Sequence, residues 1–217
     1  MATASDLAGI DGCPGGWVAA RMTDGDIDWA TAPVGGLAAI VGAVTAIDIP
    51  IGLEEEGWRA SDLAARNVMG AARSRVFLTP PRAVLEQASA PNATAQATSR
   101  RLTGQGVSRQ ALALAPRILE VDALVAAMPG VAVHESFPEI TFMRMSELSE
   151  PLATKKSARG AGQRLAALLG WRDDIAEALA RAPEGVPVDD CLDALACLWA
   201  AERISSGIHE PWCWIGP

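Results

Sequence analysis

The sequence has few cysteines and histidines, and none of them form close pairs. The four cysteines contain no C-x-x-C arrangement, and His134 and His209 are far apart in the chain. Neither a zinc knuckle nor a disulfide framework is therefore encoded. Cysteines without a disulfide framework are typical of a reducing compartment, and the expected location is the cytoplasm.

Positive charge is also scarce. Lys and Arg number 18 against 26 Asp and Glu, which leaves a formal net charge of -8. A surface of this sign disfavours a sequence-independent grip on nucleic acid by the whole molecule. A nucleic-acid or nucleotide partner must therefore be held by a local basic patch.

Export and membrane signals are absent from the pattern. The first ten residues lack a basic region and an apolar core of signal-peptide length. Residues 29–47 are uncharged, but they contain Pro33 and three glycines and run directly into Asp48. This segment favours a strand end, a loop and a small helix over a membrane span, so no membrane partner is expected.

Half of the 217 residues are apolar, which is enough to build one compact core, and a single domain over residues 1–217 is expected. Apolar runs bounded by turn residues predict strands at 7–10, 17–22, 27–31, 44–49 and 131–135. Helical patterns are found at 37–44, 157–169 and 189–204, with a helical insertion at about 54–128 in which 88–99 is a loop or weak helix. This order predicts an α/β fold with a mixed five-stranded sheet flanked by helices.

Acidic residues interrupt the apolar runs where elements end or begin. Asp11 ends the first strand, Asp48 the fourth and Glu135 the fifth, while Asp190 and Asp193 share one face of the last helix. A carboxylate beside a buried strand costs several kcal/mol unless it is paired or binds a cation.

Each acid also has a purely structural interpretation. Asp11 could accept hydrogen bonds from the following Gly-rich turn, and Asp190 could be a first-turn acid of the last helix. Asp189 is predicted to be the N-cap of that helix, with its carboxylate turned away from the other acids. Glu139, after Pro138, is equally compatible with a helix first turn.

Taken together, the acids indicate a cation site. Clustered carboxylates remain ionised together only around cations, and Mg²⁺ or Mn²⁺ accepts carboxylate ligands alongside water and substrate phosphates. Two such ions about 4 Å apart can activate water and stabilise the leaving oxygen of a phosphodiester. The metal ligands expected here are Asp11, Asp48, Asp190 and Asp193, with Glu135 as an additional ligand or orienting base.

Four motifs carry a resemblance to a known family: IDGCPGGW from residue 10, AIDIPIGL from residue 46, HESFPE from residue 134 and DDCLDAL from residue 189. Together they resemble an uncharacterised bacterial and archaeal family of predicted nucleases with an RNase H-like fold, over nearly the whole chain. The acids also look like those of RuvC-type Holliday junction resolvases, in which the fourth-strand acid is usually Glu where this chain has Asp48. The resemblance implies a fold and a site geometry.

The insertion is basic. Residues 58–110 contain eight Arg against two acids. Arg59, Arg66 and Arg73 recur every seven residues, a spacing that would align them on one helix face as a phosphate-binding stripe. Further substrate-binding candidates are Arg82, Lys155 and Lys156, the two lysines in a second basic group with Arg159 and Arg164. A solvated helix surface explains the stripe equally well.

The expected function is a metal-dependent nuclease or phosphodiesterase acting on nucleic acid or a small nucleotide. Two alternatives stay open: an actin-like, ATP-using phosphotransferase, in which the Gly-rich turn after Asp11 contacts phosphates, and a noncatalytic scaffold. The aromatic run at 212–215 could pack on a partner, so a homodimer is a further possibility.

Overall fold

The computed structural model describes residues 6–208, and the aromatic run at 212–215 lies outside this part of the chain. Its sheet has five strands in the order β3-β2-β1-β4-β5. They are β1 (Leu7–Cys13), β2 (Gly16–Thr23), β3 (Asp26–Pro33), β4 (Val44–Ile47) and β5 (Ala132–Glu135). β2 runs antiparallel to both β1 and β3, whereas β1, β4 and β5 are mutually parallel. The predicted mixed sheet is confirmed, and its layout agrees with an RNase H-like fold.

Helices cover the sheet. They are α1 (Ala60–Met69), α2 (Arg82–Leu85), α3 (Asn92–Thr103), α4 (Arg109–Ala127), α5 (Pro138–Met145), α6 (Ala158–Trp171), α7 (Ile175–Ala180) and α8 (Val188–Ser205). Helices α1 to α4 occupy the predicted insertion between β4 and β5. None of the helices within residues 6–208 is both long enough and apolar enough to cross a bilayer.

One local prediction differs from the structure. The helix expected at 37–44 is only a single 3₁₀ turn, Leu37–Ala39, followed by a turn at Ile40 and irregular chain up to β4. Gly42 then allows the chain to pass close to the residue before β1, because a Cβ there would lie 2.6 Å from the carbonyl oxygen of Asp6. The segment at 88–99, expected to be a loop or a weak helix, is helical from Asn92, where α3 begins and continues to Thr103.

Alternation along β1 separates two apolar layers. Leu7 and Cys13 face the layer that contains α5, α6 and α8, whereas Ala8 and Ile10 face the layer built on α4. Successive side chains of a strand point to opposite faces, so Asp11 belongs to the α8 side of the sheet.

Close contact between α8 and β1 fixes the position of the last helix. A Cβ on Gly9 would lie 1.9 Å from the backbone nitrogen of Leu198 and 2.2 Å from the carbonyl oxygen of Ala194. Residues 191–201 of α8 are all buried, so the helix is anchored along most of its length. Asp193 is therefore carried on a rigid element directly over β1.

Candidate metal centre

Three carboxylates meet at one edge of the sheet. Asp11 lies near the end of β1, Asp48 directly follows β4, and Asp193 lies in the second turn of α8. Ile10 pairs with Ile47 across the parallel strands, so the next residues, Asp11 and Asp48, are level with each other. One carboxylate oxygen from each aspartate lies within 4.8 Å of those of the other two.

The three side chains are shielded from water to different degrees. Asp11 is 6% and Asp193 3% exposed, while Asp48 is half-buried. Asp11 accepts a hydrogen bond of 2.6 Å from the backbone nitrogen of Gly12, and Asp193 accepts one of 2.5 Å from Lys155.

Burial is the largest cause of a raised pKa in every member of the acidic triad, as we term Asp11, Asp48 and Asp193, and repulsion by other triad members adds to it for Asp11 and Asp48. Burial, followed by the charge of Asp193, raises the pKa of Asp48 to about 8. Burial raises the pKa of Asp193 to about 6, against the opposing effect of Lys155. The pKa of Asp11 is raised well above its ordinary value by burial and by Asp48. The positive charge of Lys155 therefore does not offset the effect of burial in the triad.

The donor set fits a hard divalent cation. Carboxylate oxygens are preferred ligands of Mg²⁺ and Mn²⁺. A cation between the three aspartates would lower their pKa values, because its positive charge would offset the repulsion between the carboxylates. Asp11, Asp48 and Asp193 are therefore the residues that could hold it.

Asp190 lies beside the triad but outside it. It is half-buried in the first turn of α8 and lines the same cleft as the three aspartates. Burial and the neighbouring Asp189 raise the pKa of Asp190, and Arg117 of α4 acts in the opposite direction. Its position leaves Asp190 one helical turn from Asp193, on the wall of the cleft.

The predicted N-cap role of Asp189 is wrong. Pro187 caps α8, the helix begins at Val188, and the Asp189 side chain makes no capping bond. Its carboxylate instead accepts a hydrogen bond of 2.5 Å from Lys156. The two lysine neighbours, Lys156 and Lys155, outweigh the effect of burial and lower the pKa of Asp189.

Glu135 lies near the triad, but Arg59 holds it. Glu135 pairs in register with Ile47 of β4, whose side chain belongs to the α4 layer. The Glu135 carboxylate contacts both terminal nitrogens of Arg59 and accepts a bond of 2.9 Å from the Ile51 nitrogen. Arg59 also donates to the carbonyl oxygen of Ile51 and to Asp62, each at 2.8 Å. The pair clamps the chain that follows Asp48.

The predicted stripe of Arg59, Arg66 and Arg73 does not form. Arg59 precedes α1 and is 2% exposed in its ion pairs, and α1 ends at Met69 because Gly70 adopts a φ of 51°. Arg66 donates to the carbonyl oxygen of Val76 at 2.9 Å, and Arg73 lies in a separate 3₁₀ helix. The helix break removes the common face that regular spacing predicted.

The other basic candidates have varied surroundings. Arg82 makes a bidentate pair with Asp122 at 2.5 and 2.8 Å. Arg164 is 1% exposed and pairs with Glu139 at 2.8 Å, so it belongs to the interior and cannot join a surface group. Lys155 and Lys156 both line the cleft beside the triad.

The cleft has a volume of about 530 Å³ and contains two cationic residues that were not among the predicted substrate-binding residues. Arg117 of α4 lines this cleft and donates hydrogen bonds to the carbonyl oxygens of Cys13 and Gly16, at 2.6 and 3.2 Å. Arg75 reaches it by pairing with Glu139 at 3.0 Å. Helical spacing alone gives no signal for either residue, because each is positioned by partners distant in sequence.

These features define an α/β protein whose sheet edge carries a buried acidic group with the ligand chemistry of a metal site. The model of the family described as "Protein of unknown function (DUF429)" matches residues 9–212, and the chain belongs to that family. Searches of the curated proteins and of the solved structures found no match.

Proposed function

We propose that this protein is a divalent-metal-dependent phosphodiesterase whose substrate is a nucleic acid or a small nucleotide. The observation that carries the proposal is the convergence of Asp11, Asp48 and Asp193, with oxygens within 4.8 Å of one another at a cleft. A structural role alone does not favour this arrangement, because three buried carboxylates repel one another.

In this proposal the triad holds Mg²⁺ or Mn²⁺, and Asp190 completes the ligand set from the cleft wall. A bound divalent ion supplies Lewis-acid stabilisation and lowers the pKa of water, which is the chemistry that phosphodiester hydrolysis needs. Asp193 is fixed by the packing of α8, and Asp48 by the clamp of Arg59 and Glu135 on the chain that follows it. The ligands are thus held in place before substrate arrives.

Cations on the cleft wall suit a phosphate group. Arg117 directs its hydrogen bonds to carbonyl oxygens, so a carboxylate does not neutralise it directly. Lys156 is 72% exposed at its side chain beside Asp189 and can turn towards a ligand. We assign substrate contact to these two residues, since anionic substrates need local positive charge on an acidic protein.

The cysteines suit the expected compartment. Cys13, Cys191 and Cys197 are free thiols buried in the core. We therefore propose that the enzyme works in the cytoplasm, where thiols stay reduced.

The test is a cleavage screen with Mn²⁺ or Mg²⁺ across single-stranded, duplex and branched DNA, RNA, short oligonucleotides and bis(p-nitrophenyl) phosphate. The wild type should cleave at least one substrate and lose this activity in EDTA. Asp193→Asn should lose roughly 100-fold or more, because a ligand is removed, whereas the matched variant Asp189→Asn should retain activity. ATP and a set of phosphate acceptors serve as a further arm.

Two outcomes would overturn the proposal. Equal activity in Asp193→Asn and in the wild type would remove the triad from the chemistry. Phosphate transfer from ATP, without hydrolysis of any diester, would favour the phosphotransferase alternative.

A further inference from the structure

Lys155 places a positive charge inside the acidic site. It lies in the segment between α5 and α6, and its Nζ atom is 2.5 Å from Asp193 Oδ2. The same Nζ atom is 3.7 Å from Asp189 Oδ2. The lysine side chain is 32% exposed, whereas that of Asp193 is 4% exposed, so the ammonium enters the site from the solvent side of the cleft.

The backbone around Lys155 is firmly held. Ala153 accepts a hydrogen bond of 2.9 Å from Arg164 and donates one of 2.9 Å to Gln163, both on α6. Thr154 packs so closely on α6 that a Cβ at Gly160 would lie 2.1 Å from its carbonyl oxygen. The lysine is therefore presented to Asp193 by a fixed turn.

This position conflicts with a second metal ion. Two catalytic ions lie about 4 Å apart and share a bridging carboxylate, so each needs further oxygens from the same group of acids. Here one oxygen of Asp193 already binds the ammonium, which lies between the carboxylates of Asp193 and Asp189. A dication placed there would also be repelled by the lysine.

We infer that Lys155 takes the place of a second catalytic cation, so that each chain binds a single divalent ion between Asp11, Asp48 and Asp193. The inference rests on the proposed metal site and replaces the pair of ions expected from the sequence. The ammonium contributes the second positive charge, and it is supplied by the chain itself.

The test is a titration of the whole protein with Mn²⁺, followed by electron paramagnetic resonance of the unbound ion, on the wild type and four variants. The wild type should bind one ion, and Lys155→Met should bind two, because the second position and the oxygen of Asp193 become vacant. Lys156→Met is the matched control, since Lys156 pairs at the same 2.5 Å distance with Asp189 and makes no contact with the triad. It should bind one ion.

Lys155→Gln repeats the test with a polar side chain, and thermal unfolding of each variant verifies that it folds. Two ions on the wild type, or one ion on both Lys155 variants, would overturn the inference while leaving the metal site intact. Asp11→Asn separates the two claims: if it binds Mn²⁺ as the wild type does, or if no protein binds Mn²⁺, the proposed function itself fails.

Discussion

Replacing Asp48 by Asn should stabilise the metal-free protein at neutral pH. The Asp48 carboxylate is half-buried and faces Asp193, and these two causes raise its pKa from 3.8 to about 8. The folded protein therefore keeps a proton on Asp48 at neutral pH, while the unfolded chain releases it. Asn resembles the protonated acid in shape and cannot ionise, so the variant avoids this difference between the two states.

The sign of the effect follows from linkage. Because the folded pKa is raised, wild-type stability falls as pH rises from about 4 towards about 8. About three pH units of this window lie below pH 7. The unfolding free energy that the wild type loses by neutral pH therefore has an upper limit of about 4 kcal/mol. Partial access of water to Asp48 reduces the effect, and we expect roughly 2–4 kcal/mol near neutral pH and almost none near pH 4.

Urea unfolding in EDTA, at about pH 5 and about pH 7.5, measures this difference directly. The advantage of Asp48→Asn over the wild type should grow between the two pH values. Asp28→Asn, at an exposed position of β3, controls for the loss of one charge. An advantage of equal size at both pH values, or a variant less stable than the wild type at neutral pH, would refute the reasoning.

Three further predictions concern the clamp, the α8 contact and the metal site. Glu135→Gln should cost about 3–5 kcal/mol of unfolding free energy, because Arg59 is then left buried with an incomplete partner set; unchanged urea unfolding would contradict this. Gly9→Ala should cost more than about 3 kcal/mol of unfolding free energy or prevent folding, since the new Cβ would clash with the backbone of Leu198. A thermal unfolding midpoint equal to that of the wild type would show that α8 can move to make room. Mn²⁺ affinity should rise from about pH 6 to about pH 8 with release of protons, because ligands with raised pKa values must ionise before they bind the metal. Calorimetry in buffers of different ionisation enthalpy measures the number of protons released. An affinity that does not change with pH would speak against binding by the triad.

The sheet was predictable because its signals are local. Each strand is a short apolar run bounded by turn residues; Asp11 lies two residues before the end of β1, and Asp48 directly follows β4. Parallel strands end at the same edge of a sheet, so the proximity of these two acids follows once the topology is known. Asp193 could be added from helical phase, since it lies on the face of α8 that packs on the sheet.

The side of the sheet on which Glu135 lies could not be predicted from its position at a strand end. A shift of one residue in register moves a side chain to the opposite face, and the register of β5 against β4 depends on the whole fold. Glu135 is paired with Ile47 rather than with Asp48, and its carboxylate meets Arg59. The positions of the acids in the sequence therefore could not show that Glu135 lies apart from the triad.

The basic residues were harder to place, because distant partners decide their positions. The spacing of seven between Arg59, Arg66 and Arg73 assumes a continuous helix, and Gly70 ends it. Lys155 meets Asp193 across 38 residues of sequence, through a turn that has no periodic pattern. Such long-range ion pairs carry no local signal, and only the folded chain shows them.

The most direct test of the central claim, that the triad holds a divalent cation, is anomalous X-ray diffraction from crystals of the wild type grown with Mn²⁺. We expect one manganese peak between the carboxylates of Asp11, Asp48 and Asp193, and loss of that peak in Asp193→Asn crystals grown in the same way. Well-diffracting wild-type crystals in which manganese occupies other sites but not the triad would contradict the account.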